Sequence, residues 1–130
     1  MRLPTGVQLL VLSALWVVPP VSAHHSFAAV YDPDRTIEFT GTVVRVEWTN
    51  PHIYTVIRVE DEDGTAVEYR AEGSAPNGLF RNGWRPDTVV PGDIVHFTGS
   101  PARSETSTNV SGEIRNEDGL RLFSGRAPSE

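Results

Sequence analysis

The chain has no cysteine and no lysine, and its one methionine is Met1. The missing thiols exclude disulfide staples, thiolate zinc sites, iron–sulfur clusters and cysteine nucleophiles. The missing lysines leave arginine as the only strong cation. Long apolar runs are also scarce. The longest, from Val7 to Val18, is broken by Pro19 and Pro20, and a membrane-spanning helix needs about 20 apolar residues. Aromatic residues make up 8% of the chain.

The first apolar run has another use. Arg2 precedes it, and Val21-Ser22-Ala23 follows the prolines. A basic start, an apolar middle and a small residue before the cut form the secretory pattern. Residues 1–23 are therefore predicted to be a cleavable signal peptide, with His24 as the first residue of a periplasmic or secreted protein. No cysteine follows the cut to carry a lipid, so no stable membrane anchor is expected after cleavage. Residues 24–130 suffice for one small domain, and a core of that size can hold without covalent staples. With Arg2 gone, 10 arginines face 17 acidic side chains. Phosphate backbones repel such a domain, so no nucleic-acid partner is expected. Thioether copper sites are excluded as well, because Met1 leaves with the signal.

Residues 24–35 read as a polar N-terminal arm, and residues 36–124 as the folded domain. Ile37, Phe39, Gly41 and Val43 alternate with polar neighbours, which is a strand pattern. The alternation then slips by one, through Val44, Val46 and Trp48. A slip of this kind predicts a bulge, and Gly41 permits a sharp bend. Thr49-Asn50-Pro51 breaks the strand. A second strand is expected over residues 52–60, with Ile53, Ile57 and Val59 on one face and Tyr54 and Val56 on the other. Asp61-Glu62-Asp63-Gly64 reads as a tight hairpin connection. A third strand carries Val67, Tyr69 and Ala71.

Ser74 is expected to cap a short helix, with Pro76 in its first turn. Leu79, Phe80 and Trp84 are its apolar anchors. Pro91-Gly92-Asp93 turns into a fourth strand over residues 93–98. A polar loop over residues 99–109 leads to a fifth strand from Val110. Residues 125–130 are expected to fray. Three strands, a short helix and two more strands is the order of an OB-fold, a small all-β five-stranded barrel. A generic small β-barrel is the alternative.

His24-His25-Ser26-Phe27, Gly41-Thr42-Val43, Glu47-Trp48-Thr49-Asn50-Pro51-His52, Gly83-Trp84 and Pro91-Gly92-Asp93 together resemble a family of small exported bacterial proteins of unknown function. The resemblance covers nearly the whole expected mature chain, and HHSF and WTNPH are its most specific parts. It implies export and a single β-rich domain. It implies no catalytic residues.

All four histidines, His24, His25, His52 and His96, survive the expected cleavage. A free α-amine on His24 and its own Nδ1 can chelate one metal ion with little loss of chain entropy. The amine's reference pKa near ~8 lets a metal displace its proton at neutral pH. His25 offers a second imidazole. A nitrogen-only donor set favours Cu(II) among divalent first-row ions. From the folded body His52 is the best further ligand, because it follows the Asn50-Pro51 turn in the loop between the first two strands. In an OB-fold that loop lies at the ligand-binding end. Trp48, Asn50 and Tyr54 are the residues expected to wall the site. Glu47 is a weaker candidate ligand, and His96, opposite in phase to Val95 and Phe97, is expected to face solvent.

The bland readings stand beside these. The two terminal histidines can be an idle terminus, His52 an ordinary strand-capping residue, and Trp84 and Phe80 core plugs rather than ligand stackers. No nucleophile elbow, phosphate loop or HExxH is present, so no enzyme activity is expected. Two functions therefore remain in view. One is a copper-binding exported barrel. The other is a metal-free module that binds a periplasmic protein or another ligand on the barrel face.

Overall fold

The computed structural model of the chain describes residues 27–128. The expected cleavage point, His24 and His25 lie outside the described residues. Seven elements follow in order: α1 (Phe27–Val30), β1 (Ile37–Glu47), β2 (Tyr54–Glu60), β3 (Ala66–Glu72), α2 (Pro76–Arg81), β4 (Ile94–Pro101) and β5 (Asn109–Asn116). The strands close a barrel in the order β1-β2-β3-β5-β4. Only the β3–β5 pair is parallel. This is the OB-type topology, with the short helix between β3 and β4.

Closure depends on β1, which pairs with β2 through its second half and with β4 through its first. A strand serving two neighbours must coil. The register slips between Val43 and Arg45, where the alternation of the sequence slips. Gly41 makes the bend possible, since a Cβ there would lie 2.5 Å from the Arg58 carbonyl oxygen. A second close approach joins β4 to β5. Gly99 and Gly112 face each other in register, and a Cβ on Gly112 would lie 2.5 Å from Gly99 Cα.

The inward faces of the strands bury Val43, Ile57, Val95, Phe97 and Val110. Val56 is buried too, at 2% exposure, although it faces outward. It sits in register between Arg45 and Arg70. Those long side chains cover it while their guanidinium groups pair with Glu47, at 3.0 and 2.7 Å, as amphipathic stems do.

α2 closes one end of the barrel. Leu79 and Trp84 are buried, and the Trp84 ring packs against Phe123 at 5.4 Å between centroids. Several expectations are corrected here. Ser74 does not cap α2; the N-cap is Ala75, without a side-chain cap bond. The reason is that the Ser74 carbonyl extends the β2–β3 ladder by accepting from Ile53 N at 3.1 Å, so the helix starts a residue later. Phe80 is not a core plug. It is 42% exposed and lays its ring against the edge of Trp48.

β4 runs on to Pro101, through residues whose small polar side chains read as a loop; pairing with β5 over Gly99–Pro101 holds them extended. The stretch after Ser124 is also tied down over its described part. Gly125 O accepts from Trp84 Nε1 at 3.0 Å, and Ala127 N donates to Asn82 O at 2.7 Å.

The described part of the N-terminal arm is packed onto the barrel. After α1, Tyr31 bridges to Ala102 and is 4% exposed. Asp32 N donates to Pro101 O and Arg103 N to Val30 O, both at 2.9 Å. Among the described residues no helix is long and apolar enough to cross a membrane.

Candidate functional site

A cleft of about 810 Å³ opens where β3 and β5 part. Their parallel pairing covers only Arg70–Glu72 against Asn109–Ser111, and beyond it the two chains diverge. Ala71, Ile114, Leu122 and Phe123 form an apolar floor, and Phe27, Val30 and Tyr31 of the N-terminal segment line one side. His52, Tyr54 and Glu72 supply polar groups to the same cleft.

The backbone around Ile53 sets the direction of His52. Ile53 is buried at 1% exposure. Its N–H donates to Ser74 O, and its carbonyl accepts from Gly73 N at 2.9 Å. With residue 53 turned into the core, His52 and Tyr54 project the other way. Tyr54 pairs with Glu72 in the hairpin register, so His52 lies diagonal to that carboxylate, within reach of it.

The result is a chain of three side chains. His52 Nδ1 is hydrogen-bonded to Glu72 Oε1, and the Tyr31 hydroxyl donates to Glu72 Oε2. Burial first, then the bond to Glu72 and its charge, push the Tyr31 phenol well above its ordinary value of 10.0. It is therefore a neutral donor throughout the ordinary pH range. Beside the chain, the Arg70 guanidinium lies over the Tyr54 ring, 3.4 Å from its centroid.

The other expected site residues fall elsewhere. Trp48 does not wall the cleft. It packs edge-on against Phe80 and Phe123, at 5.3 and 5.9 Å between centroids, and its Nε1 is buried without a hydrogen-bond partner among the described residues. Its apolar contacts draw it toward the core. Asn50 is exposed in the turn and does not line the cleft. Glu47 is held by arginine. The bond from Arg70 keeps its carboxyl below the usual range; burial opposes it, and the bond from Arg45 and the charges of both arginines add to the lowering. His96 is exposed on the outer face, with Nδ1 2.7 Å from Thr40 Oγ1. Of the residues expected at the site, the structure brings His52 and Tyr54 to the cleft and adds two that sequence reasoning missed, Glu72 and Tyr31. Among the described residues no three histidine or acidic side chains gather as a metal cluster.

The fold and cleft define a small OB-type β-barrel with a histidine–carboxylate–tyrosine chain in the cleft beside its β3–β5 pairing. The chain belongs to a family of unknown function, DUF6152, whose model matches residues 13–111. No curated protein matches it.

Proposed function

We propose that this protein works outside the cytoplasm, periplasmic or secreted, as a non-enzymatic barrel that binds a transition metal such as Cu(II) through His24, His25 and His52. The observation that carries this reading is the bond between His52 Nδ1 and Glu72. Metal-ligating histidines commonly hold one ring nitrogen on a carboxylate, which fixes the ring and raises the basicity of the other nitrogen. Here that leaves Nε2 as the donor. Two further facts support it. Phe27 lines the same cleft as His52, and the three residues from His24 to Phe27 span at most about 10 Å. The acidic balance of the chain also favours a cationic ligand.

One described histidine does not hold a metal tightly, so the remaining donors are assigned to the terminus: the His24 amine, the His24 imidazole and His25. This requires the signal peptide to be cut after Ala23. Protein recovered from outside the cytoplasm is expected to have the intact mass of a chain starting at His24; a mass that retains residues 1–23 contradicts the reading.

The ligand set is tested by calorimetric Cu(II) titration of the His24-start protein. His52→Ala is expected to weaken binding by about tenfold or more, since it removes one of several linked donors. His96→Ala is expected to leave it unchanged. Equal affinity in the wild type and in His52→Ala contradicts the assignment of His52. The size of the cleft, within the range of small-molecule sites, would then favour the second reading, a metal-free ligand-binding module that uses Tyr54.

A further inference from the structure

Glu72 has two oxygens and both are spoken for. Oε1 meets His52, in the loop after β1; Oε2 meets Tyr31, 41 residues earlier in the chain. Tyr31 is the point at which the N-terminal segment joins the barrel. Its neighbours are docked by backbone bonds to Pro101 and Arg103, and the Arg103 side chain adds a bond from Nε to Ala28 O at 2.6 Å. One planar carboxylate therefore joins a candidate ligand to the segment that leads to the other candidate ligands.

We infer that Tyr31 and Glu72 form a latch that positions His52 and couples docking of the N-terminal segment to metal binding at His52; this rests on the metal reading above. A metal on Nε2 fixes the imidazole plane, and Nδ1–H then stays on Glu72. The carboxylate is held in turn, so Oε2 stays in place for the Tyr31 hydroxyl. Loss of the hydroxyl frees the carboxylate to rotate and the ring with it. Coupling of this kind is reciprocal: the factor by which docked Tyr31 raises metal affinity is the factor by which metal favours docking. Tyr31 is a positioning residue, since it touches the metal only through Glu72 and His52.

Tyr31→Phe tests this, because it removes one oxygen and keeps the ring. In the metal-free His24-start protein, hydrogen exchange read by mass spectrometry is expected to be faster at the Asp32 and Arg103 amides. Cu(II) affinity is expected to fall about 10–100-fold, the usual cost of losing an outer-shell partner, and the visible absorption of the copper complex is expected to shift. Cu(II) should slow exchange at those two amides in the wild type and much less in Tyr31→Phe. Val89→Ala, which opens the core elsewhere, is expected to lower the melting temperature while leaving copper affinity and spectrum alone. Wild-type exchange in metal-free Tyr31→Phe overturns the latch, and so does a wild-type copper affinity and spectrum in that variant. If the wild-type protein binds Cu(II) no better than a chain starting at Phe27, the metal reading itself falls and the coupling falls with it. The metal-free exchange result separates that failure from a failure of the latch.

Discussion

Trp84→Ala is expected to lower the stability of the domain by about 3–5 kcal/mol, the usual cost of truncating a buried tryptophan. Small domains have roughly 5–15 kcal/mol in all, so much of the folded population is at risk. Trp84 is fully buried. Its ring packs on Phe123, its amide donates to Leu79 O at 3.0 Å, and its indole N–H holds Gly125 O. The residue thus ties α2 through its backbone amide, and Phe123 and the C-terminal stretch through its side chain. The substitution leaves a cavity and also strips the Gly125 carbonyl of its donor, which adds to the cost. A thermal melt followed by circular dichroism should show the midpoint falling by at least ~12 °C. Phe80→Ala, at a 42% exposed ring, is expected to move it far less. An unchanged midpoint in Trp84→Ala would mean that the tryptophan does not plug the barrel, and would return it to the class of ligand-stacking residues.

The difference between Trp84 and Phe80 shows where sequence reading ends. Both are large aromatic residues in a segment with short helix signals, and nothing local separates them. Burial depends on which side of α2 meets the barrel, and that is decided by the chain crossing from β3 to β4. Strand pattern was more legible. The slip at Val44 appears as the β1 bulge, and the Asp61–Gly64 turn appears as a tight hairpin, with Gly64 at a φ of 78°. Strand ends were less legible: β4 continues through Gly99 and Ser100 because β5 pairs with them, a long-range fact.

The candidate site divides in the same way. His52 could be singled out by its place after a turn. Glu72 had a usable signal, because a hairpin turning at residues 61–64 sets Tyr54 opposite Glu72 and leaves His52 on the diagonal. Tyr31 had none. Its reach to Glu72 depends on α1 docking against Ala102 and Arg103, contacts between distant parts of the chain. Trp48 misled for the opposite reason. It neighbours the turn in sequence, but its ring is drawn to Phe80 and Phe123.

The second large effect is expected at the N-terminus. One additional residue before His24 should weaken Cu(II) binding by roughly 10²-fold or more, the order by which linking two donors raises affinity. The change deletes no side chain. It converts the His24 amine into an amide and moves the new amine away from the His24 imidazole, so the chelate ring is lost. The fold should be untouched, because the segment from Phe27 onward is tied to the barrel by its own backbone bonds, Asp32 N to Pro101 O and Arg103 N to Val30 O. An unchanged melting temperature in the metal-free protein checks that point. An extended protein that binds copper as tightly as the His24-start form would remove the amine from the ligand set.

The terminus and the barrel are proposed to make one metal site together. Calorimetric Cu(II) titration of two forms, one starting at His24 and one at Phe27, tests this most directly. One tight site per chain is expected in the longer form, with its loss in the shorter form and the same metal-free fold in both. Equal copper affinity in the two forms would contradict the shared site.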